Sequence, residues 1–221
     1  SRGVPPEIVE KAIEEFEHIV RLDSNEREAY LMLGRLYRFK NDSERATQVY
    51  EDFLKIAPGS EEGAISLAEL QISVGNVQEA IEILKKFNEE QPHSQTALTT
   101  LGDAYVRLED FNSAADAYSR ALLLDKNNID LMRALAQAFL LAEHFDEAIE
   151  IYQQLIAEDP EDAVAYLRIG QVYRDQMKYD EAREHLEKSA QLLPESTEIR
   201  FNLALLNRDS GHLEEALSQI Q

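Results

Sequence analysis

The 221-residue chain contains no cysteine and no tryptophan, and only eight glycines and six prolines. Without cysteine there is no disulfide, no thiolate metal site and no cysteine nucleophile. That absence suits a reducing cytoplasm and an oxidising periplasm, and the cytoplasm is slightly favoured. The shortage of glycine and proline leaves little material for sheet turns or flexible linkers and points to an all-helical chain. No run approaches the roughly 18 apolar residues that a membrane span needs, and the opening residues do not read as a basic-then-apolar leader, so no membrane insertion is expected. Positive charge is also short: 22 Lys and Arg stand against 43 Asp and Glu, a formal net charge of −21. Such a chain repels phosphate backbones, so no nucleic-acid partner is expected either. What is present, 44% hydrophobic residues, is enough for a sizeable core.

The organising signal is a period. From Tyr30 to Pro58 the chain reads Tyr30-x₂-Leu33-Gly34-x₂-Tyr37, then Ala46-x₃-Tyr50, then Pro58. Leu33-Gly34 returns as Leu67-Ala68, Leu101-Gly102, Leu135-Ala136, Ile169-Gly170 and Leu203-Ala204, each pair 34 residues after the last. Ala46 returns as Ala80, Ala114, Ala148, Ala182 and Ala216, and Ala12 anticipates it. A 34-residue repeat of this pattern resembles the tetratricopeptide repeat (TPR) family over nearly the whole chain. The resemblance implies an all-α fold, a right-handed superhelical α-solenoid of helix-turn-helix units, here a single array spanning 1–221. A lead and the second helix of a partial repeat occupy 1–26. Full repeats follow at 27–60, 61–94, 95–128, 129–162 and 163–196, and a truncated one at 197–221, for thirteen helices in all.

Each frame carries its own punctuation. Ser60, Ser94, Asn128, Asp162 and Ser196 precede first helices and are of the types that accept a hydrogen bond from free helix-terminal amides; Glu26 is a weaker cap. Pro58, Pro92, Pro160 and Pro194 stop the preceding helices, whereas Ser24 and Lys126 predict looser turns. Asn41, Gly75 and Gly211 suit tight reversals between paired helices, and Glu143 and Met177 suit them less well. The small residue beside each Leu33 equivalent predicts close helix approach, with Tyr37, Tyr105, Phe139 and Tyr173 filling the adjacent gap. Gln71 and Asn207 break that pattern and predict looser packing in the second and sixth repeats.

Nothing in the chain reads as catalytic. The five histidines show no zinc-protease spacing, adjacent acidic pairs such as Glu61-Glu62 diverge around a helix, and there is no phosphate loop or nucleophile elbow. No enzyme activity, metal or cofactor is expected. The resemblance implies instead that first helices line a concave groove in which a protein or peptide partner lies. The second, fifth, sixth, ninth, twelfth and thirteenth residues of each frame share the side opposite the leucine and small residue. These positions hold seven of the fourteen arginines and none of the eight lysines, and sum to about −1. Arginine's planar fork suits carboxylates. The candidate peptide-binding residues are therefore Arg35, Arg38, Arg107, Arg133, Gln137, Leu140, Leu167, Arg168, Gln171, Arg174, Phe201, Asn202 and Arg208. The competing reading of the arginines is a set of salt bridges between repeats. The family's carboxylate clamp for chaperone tails is matched poorly, since Glu198 stands where a basic residue belongs.

The reading that follows is a non-catalytic scaffold binding a peptide or helical segment of a partner. The alternative is a targeting or regulatory arm of a larger enzyme whose catalytic domain lies outside this chain. Ile13, Phe16 and Val20 at the start, and Leu213, Leu217 and Ile220 at the finish, read as uncovered apolar flanks. They suggest a segment of a longer protein, or end-to-end self-association.

Overall fold

A computed structural model of the chain describes residues 5–212. Those residues form twelve helices and no strand: α1 Pro6–Leu22, α2 Arg27–Phe39, α3 Ser43–Ile56, α4 Glu61–Ser73, α5 Val77–Glu90, α6 Gln95–Arg107, α7 Phe111–Leu122, α8 Ile129–Leu141, α9 Phe145–Glu158, α10 Ala163–Asp175, α11 Tyr179–Leu192 and α12 Thr197–Asp209. The thirteenth helix expected from sequence, with Leu213, Leu217 and Ile220, lies outside the described residues. No helix among the described residues is long and apolar enough to cross a membrane.

Helix starts follow the caps. The side chains of Ser60, Ser94, Asn128, Asp162 and Ser196 accept from the amides of Gly63, Ala97, Leu131, Ala165 and Ile199, three residues on in each case. Glu26 makes no such bond. Helix ends before the prolines come at Ile56, Glu90, Glu158 and Leu192, two residues ahead of Pro58, Pro92, Pro160 and Pro194.

Within each pair the reversal is closed by one residue in the left-handed region. Asn41 (φ 58°), Gly75 (92°), Glu109 (59°), Glu143 (61°), Met177 (60°) and Gly211 (87°) all occupy it. The following amide then donates back five residues, as from Asp42 to the Tyr37 carbonyl (2.9 Å) and from Lys178 to the Tyr173 carbonyl (2.8 Å). Glu143 and Met177, poor turn formers by type, adopt the same geometry as the asparagine and glycines. Glu109 does so as well, without any sequence signal.

The chain falls into two compact units, Ser1–Lys126 and Asn127–Gln221. In each, a helix packs on its neighbours in sequence: α1 through α7 in the first, α8 through α12 in the second. The small residues of the period admit the large ones. A Cβ on Gly34 would clash with the ring of Tyr50, and one on Gly102 with that of Tyr118; at Gly170 it would lie 2.7 Å from Leu186 Cγ. The seam between repeats shows the same logic: Gly63 packs so close to Phe53 that a Cβ would lie 2.6 Å from its ring. At another seam Ser189 is fully buried and donates to the Ala163 carbonyl at 2.7 Å, and Ile199, ten residues after Ser189, is buried as well.

The exceptions Gln71 and Asn207 are buried rather than loosely packed. The Gln71 carbonyl oxygen accepts from the Asn76 side chain at 3.0 Å, and that of Asn207 from Arg183 at 2.8 Å. Polar links replace the aromatic plug. At the N-terminus, Ile13 corrects its expected exposure: it is buried with Tyr30, Leu33 and Tyr37, and Phe16 and Val20 pack partly against the same cluster. The exposed apolar residues of α1 are Ile8, Ile19 and Leu22.

Candidate functional site

Side-chain caps set five of the six first helices into their frames in the same register, and within each unit inward positions of successive first helices come together. What they do there differs between the two units.

In the first unit, Arg35 of α2 pairs with Glu62 at the start of α4, and Arg38 pairs with Glu69 at 3.3 Å. Together with Glu61, Ile65 and Ser66 these residues line a pocket of about 480 Å³. Arg107, at the end of α6, is exposed, and its side chain makes no ion pair or hydrogen bond among the described residues. Behind this face stand tyrosines of the second helices. The Tyr118 hydroxyl donates to Asp103 at 2.6 Å, and burial, reinforced by that carboxylate, pushes its pKa well above the ordinary tyrosine range. Burial raises Tyr50 and Tyr152 in the same sense.

In the second unit, Arg133 of α8 donates to Asp162 at 2.7 Å, while the other carboxylate oxygen of Asp162 caps α10. The Asp162 side chain is only 4% exposed, so Arg133 is tied to the packing of α10. Further along, four inward residues form one network. Arg168 donates to Gln171 (2.9 Å) and to Glu198 (3.2 Å). Gln171 and Arg174 both donate to the Asn202 side-chain oxygen at 3.1 Å, and Asn202 donates in turn to the Glu198 carbonyl at 2.8 Å. Arg174 also pairs with Asp175, and Arg208 with Asp209.

The expected residues therefore separate by role. Arg35, Arg38, Arg133 and Arg168 link one repeat to the next, which is the salt-bridge reading weighed from sequence. Arg168, Gln171, Arg174 and Asn202 come together; Gln137 stays exposed, Leu140 is half-buried and Arg208 is exposed. Leu167 is a correction. It is 3% exposed and packs with Leu186, Ile199 and Leu203, because the fifth residue of a frame leans toward the next first helix, which covers it. Phe201 stands at that same place in its own frame and is 56% exposed. It is a large aromatic on the surface beside the Arg168–Asn202 network. The sequence reading missed the Asp103–Tyr118 bond and the buried polar links of Gln71, Ser189 and Asn207. Only the small size of Gly102 opposite a tyrosine hinted at the first.

No group of three or more His, Asp and Glu among the described residues could hold a metal ion. His185 lies between Tyr166 (6.1 Å) and Tyr173 (5.5 Å), and His144 stacks on Phe139 at 6.0 Å, both as packing partners.

Residues 10–221 match the family described as the cilia and flagella-associated protein 70 C-terminal domain, a TPR family. No curated protein matches the sequence. Among solved structures, a MamA protein is 30% identical, with 75% of this chain and 91% of that one covered and a TM-score of 0.66. YrrB, described as a TPR protein with an unusual peptide-binding site, is 20% identical over 85% of this chain and 96% of its own, with a TM-score of 0.69. PilF of Pseudomonas aeruginosa is 18% identical over 87% and 88%, with a TM-score of 0.60. The last two show the all-α solenoid fold alone.

Proposed function

Because the chain belongs to the cilia and flagella-associated protein 70 C-terminal TPR family, we propose that it is a non-catalytic scaffold whose first-helix face binds a segment of a partner protein. Repeats of this kind present extended side-chain surfaces and leave chemistry to others. The observation that carries the proposal is the gathering of Arg168, Gln171, Arg174 and Asn202 from two successive first helices, with Phe201 of α12 beside them. Leu140 extends the apolar contact, and Arg168, Gln171, Arg174, Asn202 and Arg208 supply donors at its border. The ion pairs of Arg168 with Glu198 and of Arg208 with Asp209 are solvent-exposed pairs of the kind worth at most about 1 kcal/mol, so a partner carboxylate can exchange for them. An apolar anchor within a polar rim is the usual anatomy of a binding hot spot.

The test is affinity capture from cell extract with the wild-type protein and with Phe201→Ser as baits, read by quantitative mass spectrometry. The exposed side chain contributes little to the core, so the variant should keep its melting temperature and lose the captured partner. Equal capture by both baits would refute the assignment.

A further inference from the structure

The fourth residue of a frame, in the first turn of its first helix, is a large side chain in four of the six frames. In the first frame Tyr30 stacks on Phe53 with ring centroids 6.3 Å apart, shares a cluster with Val20 and Val49, and donates its hydroxyl to the Ser24 carbonyl at 3.4 Å. Leu98 and Met132 hold the same place in later frames and are buried, and Tyr166 stands against His185 at 6.1 Å. In the second frame the place falls to Ala64. The side chains around it keep their size, because Val20, Val49 and Phe53 recur 34 residues on as Leu54, Ile83 and Phe87. What remains is a pocket of about 170 Å³ bounded by α3, α5 and the first turn of α4, lined by those three with Ala64 and Pro58. An apolar cavity of about 150 Å³ walled by leucine, isoleucine and phenylalanine takes up benzene, so the space is ring-sized. Lys86 and Glu90, one turn apart on α5, complete the lining; both are exposed, and neither makes an ion pair among the described residues.

We infer that this pocket receives a phenylalanine side chain from a partner protein, which fills the slot that Tyr30 fills in the first frame. Ala64 and Phe87 are its buried floor, while Pro58, Lys86 and Glu90 are exposed and mark its mouth. Tyr30 starts from the backbone of α2 and turns its hydroxyl out to exposed Ser24. A ring from a partner enters the other way, tip toward Ala64, where no polar side chain lines the pocket to receive a hydroxyl. Phenylalanine fits and tyrosine does not. An acidic and a basic residue flanking the phenylalanine meet the unpaired Lys86 and Glu90. A second copy of this chain is the poorer occupant, since each copy carries a formal charge of −21. The site lies among second helices of the first unit and does not depend on the first-helix proposal.

The experiment uses three acetylated, amidated pentapeptides, Glu-Ala-X-Ala-Lys with X phenylalanine, tyrosine or alanine, titrated into ¹⁵N-labelled protein and followed by amide chemical shifts. The phenylalanine peptide should shift Ala64, Ile83 and Phe87 and bind about tenfold or more tightly than the alanine peptide. The tyrosine peptide should bind about fivefold less tightly than the phenylalanine one, the loss expected for an unpaired hydroxyl. Ala64→Leu puts into the slot what Leu98 puts there in the next frame, and should raise the melting temperature and abolish the shifts. Lys86→Ala and Glu90→Ala, both at exposed positions, should leave the melting temperature unchanged and each weaken the phenylalanine peptide about two- to fivefold. Equal affinity for the phenylalanine and alanine peptides, tightest binding of the tyrosine peptide, unchanged affinity in both rim variants, or undiminished binding by folded Ala64→Leu would each overturn the inference. The peptide ranking decides it even where Ala64→Leu fails to fold. A sedimentation mass that rises with concentration in the wild type but not in Ala64→Leu would assign the pocket to a second copy and overturn it as well.

Discussion

Replacing Met177 by glycine should stabilise the protein. Met177 has φ 60° and is 75% exposed, so its side chain is strained at the backbone and packs against almost nothing. A non-glycine residue in the left-handed region costs roughly 1–2 kcal/mol. Glycine removes that cost but widens the unfolded ensemble, which returns about 0.4–1 kcal/mol. The net gain is about 0.5–1 kcal/mol. The same substitution at Glu109 (φ 59°) and Glu143 (φ 61°) should act alike, and turns in separate repeats share no partners, so the triple variant should gain about 1.5–3 kcal/mol. The reverse change has a matched site. Gly75 has φ 92° with no atom near an added Cβ, so Gly75→Ala tests the backbone alone and should cost about 1 kcal/mol. Urea unfolding followed by circular dichroism reads all five variants against the wild type. A raised midpoint at unchanged slope is the expected result, since slope reports exposed surface and the turns change none of it. A lower midpoint for Met177→Gly, or an unaffected Gly75→Ala, would show that turn backbone strain does not limit stability here.

Two further outcomes follow from buried polar groups. Arg133→Met leaves the Asp162 carboxylate, 4% exposed, without its cation; because Arg133 is itself 38% exposed, water screens part of the loss, and about 1–2 kcal/mol is expected in thermal unfolding. Asp162→Ala should cost more, since the cap on α10 goes too. In alkali, burial raises the folded-state pKa of Tyr50, Tyr118 and Tyr152 above the ordinary value of 10.0. The stability this gives is complete below the unfolded-state pKa and is lost as pH rises above it, because only the unfolded chain then releases those protons. Urea midpoints should hold to about pH 9 and fall beyond pH 10, with tyrosinate absorbance for these three appearing only on unfolding. Ionisation of all nine tyrosines in the folded protein would contradict this.

Most of the fold was legible because it is written in short-range chemistry that repeats. Serine, asparagine or aspartate before a helix and proline after it act within three or four residues, and six copies of a frame average out local exceptions. The turn at Glu109 was not legible, since glutamate carries no left-handed preference and tertiary packing overrides it. The binding face was legible only in part. A helical stripe defines direction to within one residue in position, and the fifth residue of the frame sits at its edge. There an aliphatic side chain such as Leu167 leans into the seam, while Arg133 reaches out to a cap. Nor does sequence separate an arginine held by the next repeat from one available to a ligand, because the partner acid lies about 30 residues away at no fixed offset: Arg35 uses Glu62, Arg38 uses Glu69 and Arg168 uses Glu198.

The fit of Phe53 against Gly63 bears on how such a chain can gain or lose units over time. Ten residues separate the two sides of each seam, and in sequence they trade size: Phe53 with Gly63, Phe87 with Ala97, Leu155 with Ala165, Ser189 with Ile199. Loss of 61–94 would bring Phe53 to Ala97, a combination the protein already tolerates as Phe87 with Ala97. Loss of 163–196 would force Leu155 onto Ile199, two large side chains where one fits, with an overpacking cost of about 1–3 kcal/mol. The repeats look interchangeable by length and signature, but each carries half of a lock whose other half is in its neighbour. Recombination within the gene is thereby channelled: some units can be dropped or copied cleanly, and others only together with the residue that faces them.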